Sequence, residues 1–182
     1  LMIDLQQSSS FKQLFSEDDS FFRGLYGRDP GIQNRLNLSG SAGMLWFMSP
    51  KLSLEHKWIY SERSGNHMEM FGHYIYNYTD GFFYDGNPWL NKERSLHSEF
   101  NLTFSGRDIS LKWNLFGKYL RDFIDGEIMQ DYNSTVYQFK QYANTGDAMI
   151  LGTELRMIAE PSAGWSFENR MSWQSGYHLD RQ

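Results

Sequence analysis

The run Arg35-Leu36-Asn37-Leu38-Ser39-Gly40-Ser41-Ala42-Gly43-Met44-Leu45-Trp46-Phe47-Met48 decides the fold. Its even positions are Leu36, Leu38, Gly40, Ala42, Met44, Trp46 and Met48, and its odd positions are Arg35, Asn37, Ser39, Ser41 and Gly43 before Leu45 and Phe47. A two-residue period places one set on each face of an extended strand. Ser49-Pro50 interrupts the run, and alternation resumes with Leu52, Leu54, Trp58 and Tyr60 against Ser53, Glu55, Lys57 and Ser61.

The same pattern recurs twice. Leu96, Phe100, Leu102 and Phe104 alternate with His97, Glu99, Asn101 and Thr103, then turn at Ser105-Gly106-Arg107-Asp108 into Ile109, Leu111, Trp113 and Leu115. Met149, Leu151, Leu155 and Met157 turn at Glu160-Pro161-Ser162-Ala163-Gly164 into Trp165, Phe167, Met171 and Trp173. The three tight turns fall near residues 49, 106 and 162, while the links on the other side are long from Glu62 to Arg94 and shorter around Ile128 to Ser134. Short turns at one end and long loops at the other are the asymmetry of an outer-membrane barrel. Apolar faces of ~9–11 residues match a tilted membrane strand, whereas soluble sandwiches turn more often. The expected fold is therefore all-β: about six long antiparallel strands of a transmembrane barrel segment, with a soluble antiparallel sheet as the alternative.

Composition agrees with this class. The 182 residues include 31 aromatics (14 Phe, 11 Tyr and 6 Trp), no Cys, and a net charge of −5. Mean hydropathy is −0.60, and no window approaches the ~18 apolar residues of a spanning helix. An acidic balance argues against a general nucleic-acid binder. The lack of Cys excludes a disulfide scaffold, thiolate clusters and a Cys nucleophile. Leu1 to Ser10 shows neither a basic n-region nor an apolar h-region.

The polar faces carry Arg35, Glu55, Lys57, Glu99, Lys112, Glu154, Arg156, Glu168 and Arg170. In a barrel these line a wet lumen or meet a plug, where mixed charges are hydrated or paired. Aromatics near strand ends, including Trp46, Trp58, Tyr60, Phe104, Trp165, Trp173 and Tyr177, read as interfacial girdles.

A family resemblance rests on the loop closing at Gly86-Asn87-Pro88-Trp89-Leu90-Asn91-Lys92-Glu93-Arg94-Ser95, preceded by a strand ending Ser61-Glu62-Arg63. It extends to Asn114-Leu115-Phe116 through Arg121-Asp122-Phe123-Ile124, and to Tyr142-Ala143-Asn144-Thr145-Gly146-Asp147-Ala148 with Gly152-Thr153-Glu154. These motifs, over about residues 34–180, resemble the barrel of TonB-dependent outer-membrane receptors, particularly those of the Bacteroidetes. One departure is Gly65-Asn66, where the family commonly has Pro-Ser. The resemblance implies residues 1–33 as an extracellular loop region and residues 34–182 as partial barrel wall, with 62–93 an extracellular loop. It implies a segment of a larger protein, with the plug domain outside this chain. It further implies location in the bacterial outer membrane, contact with its lipid, and coupling to the TonB energy-transducing complex through the plug. The ligand would be a scarce nutrient such as a siderophore, haem or another metal chelate, imported by gated translocation. A passive pore and a soluble binding module are the competing functions.

Enzymatic chemistry finds little support. The five His are scattered, and no Gly-x-Ser-x-Gly, His-Glu-x-x-His or nucleotide motif occurs. No catalytic residue and no cofactor are expected. Within the long loop, Tyr74, Tyr76, Tyr78, Phe82, Phe83, Tyr84 and Trp89 are candidate ligand contacts, because exposed aromatics either pack on neighbouring loops or stack on a flat ligand. His67, Met68, Met70 and His73 form a candidate soft-metal set, since imidazole and thioether suit copper.

Overall fold

The computed structural model describes residues 2–9, 27, 34–129 and 138–180. The strands β1 (Met2–Ser9), β2 (Asn34–Ser49) and β3 (Leu52–Arg63) lead to a short helix α1 (His67–Phe71). Then come β4 (Ile75–Asn77), β5 (Phe82–Asp85), β6 (Glu93–Ser105), β7 (Ile109–Arg121), β8 (Ile124–Ile128), β9 (Phe139–Asn144), β10 (Ala148–Ser162) and β11 (Trp165–His178). Two sheets result. The larger is an open, seven-stranded sheet in the order β1-β2-β3-β6-β7-β10-β11, antiparallel at every pair. The smaller has the order β4-β5-β9-β8 and sits within the two long connections.

Six strands of the larger sheet are the six read from alternation, and the tight turns join β2 to β3, β6 to β7, and β10 to β11. Register keeps the two faces separate across the sheet. One row runs Met44–His56–Phe100–Leu115–Thr153–Trp173, and the next runs Trp46–Leu54–Leu102–Trp113–Leu155–Met171. On the opposite face, Glu55, Asn101, Asn114, Glu154 and Ser172 are in line. The apolar face is left open: Leu36, Met44, Leu96, Trp113, Met171 and Trp173 are all exposed.

The structure differs from the sequence reading in three places. Met2–Ser9, assigned with residues 1–33 to a loop, is a strand paired with β2 from Ser41 to Asn34. Its apolar residues Ile3 and Leu5 are too few for a two-residue period to stand out; other than residue 27, the rest of that expected loop region lies outside the described residues. The connection after β7 is not a short link near Ile128: it holds β8 and β9, with Gln130 to Tyr137 outside the described residues. Third, Trp173 belongs to a row well inside the apolar band and not to its border. The border row at the loop end is Tyr60–Leu96–Tyr119–Met149–Tyr177.

The two long loops have a small core of their own. Met70, Leu90 and Ile124 are buried together, with Phe71 and Tyr142 packed against them. Asn87 organises the turn that delivers Leu90: its side chain accepts from the Trp89 N–H at 3.0 Å. Pro88 and Leu90 are the largest fully buried side chains among the described residues. Gly86 is there for closeness of approach, because a Cβ would lie 2.7 Å from backbone atoms of Met70 and Phe71. Emptying this core is costly for the loops and neutral for the wall. Leu90→Ala is expected to cost about 2–5 kcal/mol of loop stability, seen as faster amide exchange in 66–90 and 124–144 while β6 and β7 stay protected.

Candidate functional site: the loop sheet and the polar face

The smaller sheet joins the two loops through an unusual contact for this molecule, a parallel pairing. Phe83, Tyr84 and Asp85 of β5 lie beside Phe139, Lys140 and Gln141 of β9. Alternation along β5 then sorts its aromatics. Tyr84 is buried and meets Tyr142 at 5.1 Å between ring centroids. Phe83 faces the other way and stacks on Phe139 at 5.5 Å. Tyr76 packs on Phe83 at 5.0 Å, Tyr78 on Tyr76 at 4.9 Å, and Tyr74 on Phe139 at 5.4 Å. Tyr74, Tyr76 and Tyr78 are exposed, Tyr78 at 91%. Of the seven candidate aromatics, four therefore share one face, extended by Phe139. Phe82 and Tyr84 lie on the other side beneath Lys140, whose Nζ is 4.2 Å and 5.5 Å from their ring centroids. Trp89 is only partly exposed and belongs to the Asn87 turn.

A polar clamp secures the parallel pair. Asp80 accepts from the Tyr84 hydroxyl at 2.6 Å and from Lys140 Nζ at 2.7 Å. For Asp80, burial is the largest influence and raises its pKa, but the Lys140 and Tyr84 hydrogen bonds and the Phe82 N–H together outweigh it and hold the carboxyl below its ordinary 3.8. For Lys140, burial likewise opposes and is outweighed by Asp80 and Tyr84, so the ammonium lies above its ordinary 10.5. The Tyr84 hydroxyl is raised, first by burial and then by its bond to Asp80.

At the root of the loops, Arg63 bridges two carboxylates, Glu69 at 2.6 Å and Glu93 at 2.9 Å. Glu93 is buried and also accepts from the Ile124 N–H at 3.1 Å. A strand end, the helix and both loops thus meet at one ion network. Asn91 and Asn144 exchange hydrogen bonds at 2.8 and 3.2 Å nearby, and Arg35 donates to the carbonyls of Pro88 and Leu90.

The candidate metal residues lie on α1 and just beyond it. Asn66 caps α1 and forms a capping box with Glu69. Two positions apart on this helix, Met68 is 60% exposed and Met70 is 5% exposed in the loop core. His73 Nδ1 lies 2.9 Å from Asp85 Oδ1. Among the described residues no group of three or more His, Cys, Asp or Glu could hold a metal ion. Spacing along the chain suggested a cluster; the helix sends Met68 and Met70 to different surroundings.

All eight lumen-lining candidates, Glu55, Lys57, Glu99, Lys112, Glu154, Arg156, Glu168 and Arg170, share the polar face by register. Six of them, Glu55, Glu99, Lys112, Glu154, Arg156 and Arg170, line a hollow of ≈ 720 Å³. Asn114 links Glu99 and Asn101 at 2.7 Å each, and Asn101 reaches Glu99 at 2.9 Å. Arg156 pairs with Glu168 at 2.7 Å. Asn101 and Asn114, mid-strand amides among the charges, are the network residues the sequence reading left without a role.

The family model described as "TonB dependent receptor-like, beta-barrel" matches residues 9–181. The chain belongs to the TonB-dependent receptor β-barrel family. Solved structures with the same fold include the copper transporter OprC, at 17% identity and a TM-score of 0.65 over 80% of this chain and 21% of that one. The siderophore receptor PirA from Pseudomonas aeruginosa is 16% identical with a TM-score of 0.65, over 80% and 30%. The FrpB iron transporter from Neisseria meningitidis is 16% identical with a TM-score of 0.54, over 80% and 20%. The chain thus spans about a fifth to a third of the length of these proteins. No curated protein matches it in sequence. In this family the open sheet is barrel wall and its apolar face meets lipid. Polar groups on that face are satisfied locally: Trp113 Nε1 donates to Thr153 Oγ1 at 2.8 Å, and His56 Nε2 lies 2.9 Å from Ser98 Oγ.

Two outcomes follow from these faces. Leu102→Arg, near the middle of the lipid face, is expected to cost roughly 2–4 kcal/mol of barrel stability, and Thr103→Arg, one residue on and facing the lumen, far less; unfolding of the full-length barrel in lipid micelles measures both. The Asp80–Lys140 clamp has a defined pH window. A lowered Asp pKa contributes stability above 3.8 that is lost as pH falls through the folded value, and a raised Lys pKa contributes below 10.5 that is lost as pH rises through its own. Asp80→Asn should therefore speed amide exchange in 82–85 and 139–142 at pH 7, and the difference from wild type should vanish well below pH 3.8.

Proposed function

We propose that this chain supplies wall and extracellular loops to a ligand-gated active transporter of the bacterial outer membrane. The transporter binds a scarce nutrient outside the cell and imports it with energy from the inner membrane. The ligand class is a siderophore, haem or a similar metal chelate. The observation that carries this reading is the aromatic face of Tyr74, Tyr76, Tyr78, Phe83 and Phe139, held on a sheet at the loop end of the wall. Flat or catechol-bearing chelates stack on such rings, and the tyrosine hydroxyls add hydrogen bonds. The sheet is braced by the Asp80–Lys140 clamp and the Arg63 network, so little ordering entropy is lost on binding. Phe82 and Tyr84 brace this face from behind, under Lys140. The names of similar structures, a copper transporter, siderophore receptors and an iron transporter, favour metal-linked cargo.

The plug domain, outside this chain, would occupy the lumen against the charged hollow. Lys112 and Glu154 make no ion pair among the described residues and are the proposed plug contacts. The TonB complex acts through the plug, and no covalent chemistry is required of any residue here.

In the full-length receptor, replacing Tyr74, Tyr76 and Tyr78 together by Ala should weaken binding of the cognate ferric chelate about ten- to a hundredfold. Unfolding should be unchanged, because all three are exposed. A panel of ferric siderophores and haem, read by fluorescence quenching, identifies the cognate ligand. Unaltered affinity would remove the aromatic face from the site. Solute flux without an energised inner membrane would replace the gated transporter with a passive pore.

A further inference from the structure

We propose that the outer surface of β6 and β7 holds one anionic phospholipid-type molecule of the outer leaflet, its phosphate on Arg94 and Arg121 and an acyl chain in the groove over Ser98 and Gly117. The inference uses only the membrane-spanning wall and is independent of the imported ligand.

Arg94 and Arg121 stand directly opposite one another in register. Both follow the parity of the lipid face, two residues beyond Leu96 and Tyr119 of the border row. Tyrosines of such a row lie at headgroup level, so the arginines reach into the headgroup layer. Like charges directly opposite on a sheet repel, and neither guanidinium is neutralised at hydrogen-bond distance. The nearest carboxylates to Arg94 are Glu62 at 3.8 Å and Asp122 at 3.7 Å. Arg121 is exposed and has no ion pair among the described residues. Two of the local acids are engaged elsewhere, Glu62 by Lys92 at 2.8 Å and by the Tyr60 hydroxyl at 2.9 Å, and Asp147 by the Tyr119 hydroxyl, which leaves Asp122 as a loose partner of Arg94 alone. A phosphate between the two arginines accepts forked hydrogen bonds from both and removes their repulsion.

The groove begins below this pair. Small side chains at Ser98 and Gly117, neighbours in register, leave a depression of ≈ 420 Å³. Phe100, Leu115, Leu151 and Trp173 wall it. Gly117 lies four residues from Arg121 along β7, roughly 13 Å at the rise of an extended strand. Headgroup and groove are thus arranged along one strand pair in the order that a lipid presents its own phosphate and chain. Electrostatic attraction of basic side chains for anionic headgroups supplies the rest.

The test uses the full-length receptor, delipidated in a neutral detergent and titrated with mixed micelles. Phosphatidylglycerol is compared with phosphatidylcholine of the same chains, and inorganic phosphate serves as the free anion. Wild type should bind the anionic lipid selectively, and Arg94→Gln with Arg121→Gln should weaken it about thirtyfold. Arg94→Lys with Arg121→Lys, which keeps the charge, should retain much of the affinity and covers the case in which the Gln variant misfolds. Gly117→Leu fills the groove against Leu151, whose Cδ2 is 3.2 Å from an added Cβ. It should weaken binding of long-chain phosphatidylglycerol and leave the dihexanoyl form unaffected. Equal binding of both headgroups, full affinity in the Gln variant, or full competition by inorganic phosphate overturns the proposal. Loss of ferric-chelate binding in the tyrosine variant with lipid selectivity intact shows that the two sites fail separately.

Discussion

Everything in this chain depends on one requirement: in hydrocarbon, every backbone N–H and C=O needs a partner within the protein. Antiparallel pairing across β1-β2-β3-β6-β7-β10-β11 meets it in the wall. Once the pairs are set, side-chain parity leaves no freedom, because a one-residue slip would move every charge from lumen to lipid. Leu102 and Thr103 are therefore neighbours in sequence that answer to different solvents. The few polar groups on the lipid side obey the same rule with shorter reach, as the Trp113–Thr153 and His56–Ser98 contacts show.

Beyond the border row the requirement lapses, since water can serve as partner, and the loops are organised by other means. Arg63 is the hinge between the regimes. It is the last residue of β3, yet its guanidinium holds Glu69 in the first loop and Glu93 at the start of β6. Glu93 in turn accepts from Ile124, which begins β8. The two carboxylates are largely buried while Arg63 is half-exposed, so removing Arg63 leaves both acids without their shared cation. The wall thus transmits its rigidity to a sheet whose own strands are only three to six residues long.

The wall was legible because its signal is local. Alternation in Arg35–Met48 and its counterparts is enough to assign six strands and their faces, including the polar face that eight charges share. The closing motif was legible only as a family resemblance, and the structure supplies its physical basis: Gly86 admits the backbone of Met70 and Phe71, while Pro88 and Leu90 form the buried centre. What could not be read is non-local. β5 pairs with β9 across more than fifty residues, in parallel, and neither segment has enough length for a period. The division of Tyr84 from Phe83 follows from that pairing, as does the role of Lys140. The candidate metal set meets the opposite effect: Met68 and Met70, two residues apart on a helix, fall on different sides of it, one exposed and one in the loop core.

A transporter of the proposed kind must admit cargo and still exclude water, and the arrangement of this chain suits keeping those demands apart in space. The outer aromatic face is built on hydrogen-bonded scaffolding, so recognition there does not require the loops to fold on arrival. The lumen face is different in kind. Asn101 and Asn114 bind Glu99 tightly, whereas Lys112 and Glu154, in the same hollow, have no ion-pair partner among the described residues. A hydrated surface with some charges satisfied and some available suits a plug that is seated but must move. Contacts made through water and exposed ion pairs are individually worth ~0–1 kcal/mol, which permits displacement without unfolding the wall. Strong, dry contacts are kept for the loop core of Met70, Leu90 and Ile124, away from the charged hollow.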